Sequence, residues 1–165
     1  MVGNKTLFWG MTVALVLTLA TACSPASPTA LTGSEQAIEA LEAFFERLSK
    51  EDYAGAAELY GGSYETLVNW NPEIPESNTE SLWQKGCQIN GLQCLTVRSA
   101  KLVEESDGEL VFTVEFNNPD GELFVQGPCC GADETQMPPA SQFQVRLQKT
   151  PQRGFLVLDM PVYVP

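Results

Sequence analysis

Five cysteines, no histidine and a surplus of acid are the chemistry-bearing features of this 165-residue chain. Cys129 and Cys130 are adjacent in GPCCGAD, Cys87 and Cys94 bracket CQINGLQC, and Cys23 stands apart near the N-terminus. Thiols can hold zinc, exchange disulfides or staple a loop. Zinc sites built from four cysteines use paired C-x2–4-C spacing, and thiol redox catalysts use C-x-x-C. Neither spacing occurs here. The lack of histidine excludes Ser-His-Asp and Cys-His machinery and every imidazole metal ligand, so neither a metal nor a cofactor is expected. With Cys23 set aside, four cysteines allow three connectivities. Closing CQINGLQC on itself forces a strained vicinal bond between Cys129 and Cys130, or leaves them free. Cross-linking satisfies every thiol without a vicinal ring. The expectation is therefore that Cys87 and Cys94 each pair with one of Cys129 and Cys130, pinning the CC loop to the start of the sheet.

Acid–base chemistry would have to come from carboxylates and tyrosines: Asp52, Tyr53, Glu58, Tyr60, Tyr64, Glu65, Glu115 and Asp159. Asp159 stands out, because LVLDMPV is otherwise apolar and burial would raise its pKa. Its plainer reading is a strand end with the side chain in water. Tyr60, Tyr64, Trp70 and Trp83, with Phe112, read as core or pocket wall. Asp107-Gly108, Asp120-Gly121 and Asp133-Glu134 are scattered and lack EF-hand spacing, so they read as turns.

The N-terminus carries an address. Lys5 precedes an uncharged apolar run, Leu7 to Ala20, which is shorter than the ~20 residues of a transmembrane helix. Small residues and Cys23 follow, in the pattern of an export signal. Leu19-Ala20-Thr21-Ala22-Cys23 resembles a bacterial lipobox, although the usual large aliphatic residue is Ala20 here. That resemblance implies a signal peptide over 1–22 and diacylation of Cys23. SPASPTALTGS, within 23–34, lacks charge and reads as a tether. The folded part is then one domain, 35–165. Its charge excludes one class of partner. The chain has 9 Lys plus Arg against 21 Asp plus Glu, a net charge of −12, and nucleic-acid binding depends on basic residues.

These groups need elements to position them. SEQAIEALEAFFERLSKED has Ile38, Leu41, Phe45 and Leu48 at helical spacing, widened by Ala37 and Phe44. Thr32 with Glu35 fits a capping box. DYAGAAELY, SYETLVNW and NTESLWQKGC predict three shorter helices, the last burying Leu82 and Trp83. The period then changes to two. LTVRSAKLV slips phase near Ser99, which predicts a bulge. Leu110, Phe112, Val114 and Phe116 alternate, as do Phe143, Val145 and Leu147. Ser106-Asp107-Gly108-Glu109 predicts a hairpin, and FLVLDMPVYV reads as a final strand. Leu123-Phe124-Val125 is either an extension of the second strand or a separate short one.

Helices followed by an antiparallel meander predict an α+β fold, with N-terminal helices on one face of a curved sheet. AIEALEAFFERLSKEDYAGAAELY and the closing GFLVLDMPVYVP resemble the nuclear-transport-factor-2-like, cystatin-like superfamily, and within it bacterial lipoproteins. The resemblance covers about 35–165 and rests on architecture, with no catalytic motif. It implies a cone-like sheet whose concave side forms a pocket, lined here by Tyr60, Tyr64, Trp70, Trp83, Phe112 and Asp159. It also implies a lipid-anchored protein of the bacterial cell envelope that binds a small apolar ligand or a protein partner. The alternative is an isomerase or dehydratase, which needs a buried carboxylate beside a tyrosine.

Overall fold

Thr32 starts the first helix, α1 (Gly33–Ser49). Its hydroxyl accepts from Glu35 N, and the Glu35 carboxylate accepts from Thr32 N at 2.7 Å, closing the expected capping box. This computed structural model describes residues 32–165, within one unit spanning Leu31–Pro165. The expected signal peptide, Cys23 and the tether up to residue 31 lie outside the described residues. Thr32 to Ser34, expected as the end of the tether, instead open α1. The helix buries Ala37, Leu41, Phe44, Phe45 and Leu48, as its period requires.

Three short helices follow, each begun by a polar side chain that takes an orphan N–H. Asp52 accepts from Gly55 N before α2 (Tyr53–Glu58). Ser63 accepts from Glu65 N at the start of α3 (Glu65–Trp70), which stops before Pro72. Asn78 accepts from Ser81 N before α4 (Thr79–Gln88), where Leu82 and Trp83 are fully buried.

The sheet is an antiparallel meander of β1 (Thr96–Ser106), β2 (Glu109–Asn117), β3 (Phe143–Thr150) and β4 (Gly154–Val157), in that spatial order. The fold class is thus α+β. The register of β1 on β2 shifts between Val97 and Ser99, at the expected slip, and again between Leu102 and Glu104. Such bulges bend a strand and raise its twist. Asp107 (φ 49°) and Gly108 (φ 83°) form the β1–β2 turn, in the double left-handed geometry that matches strand twist. Along β2, Leu110, Phe112, Val114 and Phe116 are buried, and α1 packs against β1, β3 and β4 on that side. Leu123 and Phe124 fold back on the end of β2, with Phe124 N donating to Phe116 O, so they do not extend it.

Two expectations are corrected. FLVLDMPVYV does not remain one strand. Leu158 N donates to Arg146 O, but at the next position the Asp159 side chain, in place of main chain, accepts from Arg146 N. Pro161 has no N–H to continue the ladder. The tail leaves the sheet and pairs with residues 91–93, through Gln93 N to Val162 O and Val164 N to Gly91 O.

The cysteine connectivity also differs. Cys87 is bonded to Cys94, and Cys129 and Cys130 are free. The reason is local. After α4, Asn90 N donates to Lys85 O and Leu92 N to Gly86 O, with Gly91 at φ 86°. This tight return buries Leu92 and brings the two Cα atoms to 5.6 Å, within bridging range. The CC loop is closed by a different contact, the reciprocal Gln126–Ala140 pair.

Candidate functional site

The departure of the tail from the sheet opens a cleft. Phe143 and Val145 pair with Val114 and Phe112 of β2 on one side, but β4 reaches only Leu147 to Thr150 on the other. Arg146 directs both its N and its O toward that second side. Main-chain groups alternate direction along an antiparallel ladder. Gln144 therefore points its N–H and C=O groups to the same edge, beyond the end of β4. Met160 and Val162 of the diverging tail form the opposite wall.

Between these walls lies a cavity of about 360 Å³, lined by Phe45, Phe116, Phe143, Val145, Met160 and Val162, with Gln142 and Gln144. Its aromatic side is continuous. Phe45 meets Phe116 at 4.8 Å between ring centroids, Phe116 meets Phe143 at 6.0 Å, and Phe143 meets Phe124 at 5.8 Å. The size falls in the ordinary range for small-ligand pockets, roughly 300–1,000 Å³. No carboxylate, thiol or hydroxyl side chain lines it. Such a surface can desolvate an apolar group and offer hydrogen bonds from a strand edge. It holds no acid or base to move a proton.

The six residues expected to line one pocket do not converge. Tyr60, Tyr64 and Trp83 pack with Phe44 into an aromatic core cluster, with centroid separations from 4.9 to 5.9 Å. Their polar atoms are spent internally: Trp83 Nε1 donates to Tyr64 Oη at 3.2 Å, and Tyr60 Oη donates to Ser63 O at 3.1 Å. Burial pushes both hydroxyls above the ordinary tyrosine pKa. Phe112 is wholly buried in β2. Trp70 lies elsewhere, tilted against Tyr163 at 5.1 Å over a shallow groove that also includes Ile89.

Asp159 is held, not poised. Its carboxylate accepts from Arg146 N, Nε and Nη2, the last at 2.6 Å. That pairing raises the pKa of the guanidinium. Glu115 is on the opposite face of β2 from its buried residues, where bonds from Gln142 and Ser99 hold its pKa below the usual carboxylate range. Neither acid has a hydrogen bond to a tyrosine hydroxyl. Asp107-Gly108, Asp120-Gly121 and Asp133 serve as turns, the last accepting from Thr135 N and Gln136 N. Among the described residues no cluster of His, Cys, Asp or Glu could hold a metal ion.

Sequence reasoning missed the cleft. Phe45, Phe116, Phe143 and Val145 carry a clear signal of burial in their periodicity, and periodicity does not separate core from cleft wall. Which buried positions border a gap depends on the tail's exit, and only Pro161 hinted at that.

No helix among the described residues is long and apolar enough to cross a membrane. The chain matches no protein-family model and no curated protein.

Proposed function

We propose that this is a lipid-anchored protein of the bacterial cell envelope whose α+β domain binds a small apolar ligand in the cleft between α1, β3 and the tail. The observation that carries the ligand reading is a cavity with an aromatic and aliphatic wall, bordered by a strand edge without a neighbouring strand. The helices cover one face of a bulged sheet, which supports the nuclear-transport-factor-2-like resemblance at the level of architecture. The anchor rests on the lipobox-like sequence, with Cys23 acylated and the domain outside the cytoplasm. The isomerase or dehydratase alternative draws no support from Asp159 or Glu115, whose carboxylates are engaged elsewhere.

Two experiments test the two halves. Titration with an apolar fluorescent probe should give saturable binding. Met160→Trp, which fills the mouth, should weaken binding about tenfold or more while leaving the melting temperature within a few degrees. Unchanged binding would remove the cleft as the site. Palmitate labelling in a bacterial host should disappear in Cys23→Ala, and persistent labelling would remove the anchor.

A second reading follows from the free edge of β3. An extended segment of a protein partner could add there as a further strand. Amide exchange distinguishes the two. Strand addition should protect the Gln144 N–H, whereas a small apolar ligand should perturb the Phe143 and Met160 side chains.

A further inference from the structure

The two cysteines left outside the Cys87–Cys94 bridge are arranged together. Gln126 and Ala140 exchange main-chain hydrogen bonds and close the loop between them. At its tip Ala132 N donates to Cys129 O at 2.9 Å, with Cys130 at φ 60° and Gly131 at φ 88°. This turn sets the two sulfurs side by side, 2.8 Å apart. Cys130 is exposed and Cys129 half-buried. Neither thiol has another side chain as partner.

We propose that Cys129 and Cys130 are a reversible dithiol–disulfide couple, a site of oxidative modification separate from both the structural Cys87–Cys94 bridge and the apolar cleft. Adjacent Cα atoms are ~3.8 Å apart, closer than the ~4.4–6.8 Å that unstrained disulfides span. A bridge between neighbours is therefore easier to reduce than an ordinary one. The oxidant is a disulfide, either a small molecule or an envelope thiol–disulfide protein. The exposed Cys130 thiolate attacks one sulfur of the donor and expels the first donor thiolate. Cys129, as thiolate, attacks Cys130 Sγ in the mixed disulfide and expels the second. Two protons leave the cysteine thiols and are taken up by the two departing thiolates. The donor disulfide becomes two thiols as the cysteines lose two electrons. The hydrogen bond to Cys130 raises the Cys129 thiol pKa, which agrees with the exposed Cys130 attacking first.

The test is differential alkylation of the full chain, exported and purified, read by peptide mass spectrometry. With oxidised glutathione in excess, the peptide containing residues 127–140 should lose two hydrogens and resist alkylation while the protein stays monomeric. During stepwise reduction Cys129 and Cys130 should become alkylatable at about tenfold lower dithiol concentration than Cys87 and Cys94. In Cys129→Ser the reaction should stop at a glutathione adduct on Cys130. The oxidation step would be overturned by two free thiols at saturating oxidant, a persistent glutathione adduct in the unsubstituted chain, or disulfide-linked dimers. Reduction of Cys87–Cys94 first, or of both bridges together, would overturn the reversible couple.

Discussion

Arg146 and Asp159 show how one pair can decide the course of a chain. Arg146 is half-exposed, with 49% of its side chain accessible against 27% for Asp159. The ion pair alone should therefore contribute little, about 0.5–1 kcal/mol after solvent screening. The hydrogen bond from Arg146 N to the same carboxylate adds a second task. Arg146→Met should thus cost about 0.5–1 kcal/mol and Asp159→Ala about 1–2 kcal/mol, because the latter also removes the acceptor of a strand-edge N–H. Urea denaturation of the two variants measures the order; equal losses would assign the whole effect to charge. Trp83 lies at the other extreme. It is fully buried among Phe44, Tyr60 and Tyr64, so Trp83→Ala should lose about 3–5 kcal/mol in the same assay.

At the scale of elements, the parts legible in the sequence were those fixed by neighbours along the chain. Thr32 and Glu35 announced their capping box, the phase slip near Ser99 announced a bulge, and Asp107-Gly108 announced a hairpin. Alternation in β2 named the buried set from Leu110 to Phe116 correctly. What escaped depended on partners distant in sequence. Tyr60, Tyr64 and Trp83 were recognised as apolar, but apolar character does not distinguish a core cluster from a pocket wall. FLVLDMPVYV reads as one strand because its run is almost uniformly apolar; Asp159 and Pro161, which interrupt that run, are where the chain leaves the sheet. Cysteine counting favoured a crossed pair of bridges; the tight return through Asn90 and Gly91 selected Cys87–Cys94 instead. That bridge closes a loop with a sequence separation of 7, for which chain entropy gives about 2–3 kcal/mol. Cys87→Ser with Cys94→Ser should lower the melting temperature by about 10 °C or more, measured by circular dichroism. No change would mean that the α4–β1 corner is held by hydrogen bonds alone.

At the scale of the molecule, acid and alkali should act through different groups. Glu35, Glu46, Glu115 and Asp133 have folded-state pKa values below their ordinary values because they accept hydrogen bonds from Thr32, Lys50, Gln142 and Thr135. A lowered folded pKa adds stability that is present above the unfolded carboxylate range. It is lost as pH falls through the folded values, so acid unfolding should begin below about pH 4. Tyr53, Tyr60 and Tyr64 are shifted upward, by burial first. Their stabilising effect is complete below the unfolded tyrosine pKa of about 10 and is lost as pH rises through the higher folded values. Tyrosinate absorbance from these residues should therefore appear together with alkaline unfolding, in one transition seen by both absorbance and circular dichroism. Tyrosinate formation from Tyr60 in a chain that is still folded would contradict its burial.

The tail that opens the cleft also sets an order of events in synthesis. α1 packs against β4, and Met160, Val162 and Val164 pack against the core, so the first helix is completed by segments made more than a hundred residues later. Contacts of such long range are slow to form, since loop-closure entropy precedes their reward. A nascent chain ended at Gly154 lacks Phe155, Leu156 and Val157 under α1, and should remain open and sensitive to protease. Extension through Val164 should make it resistant. The domain should therefore stay open during synthesis until its last segment has been made.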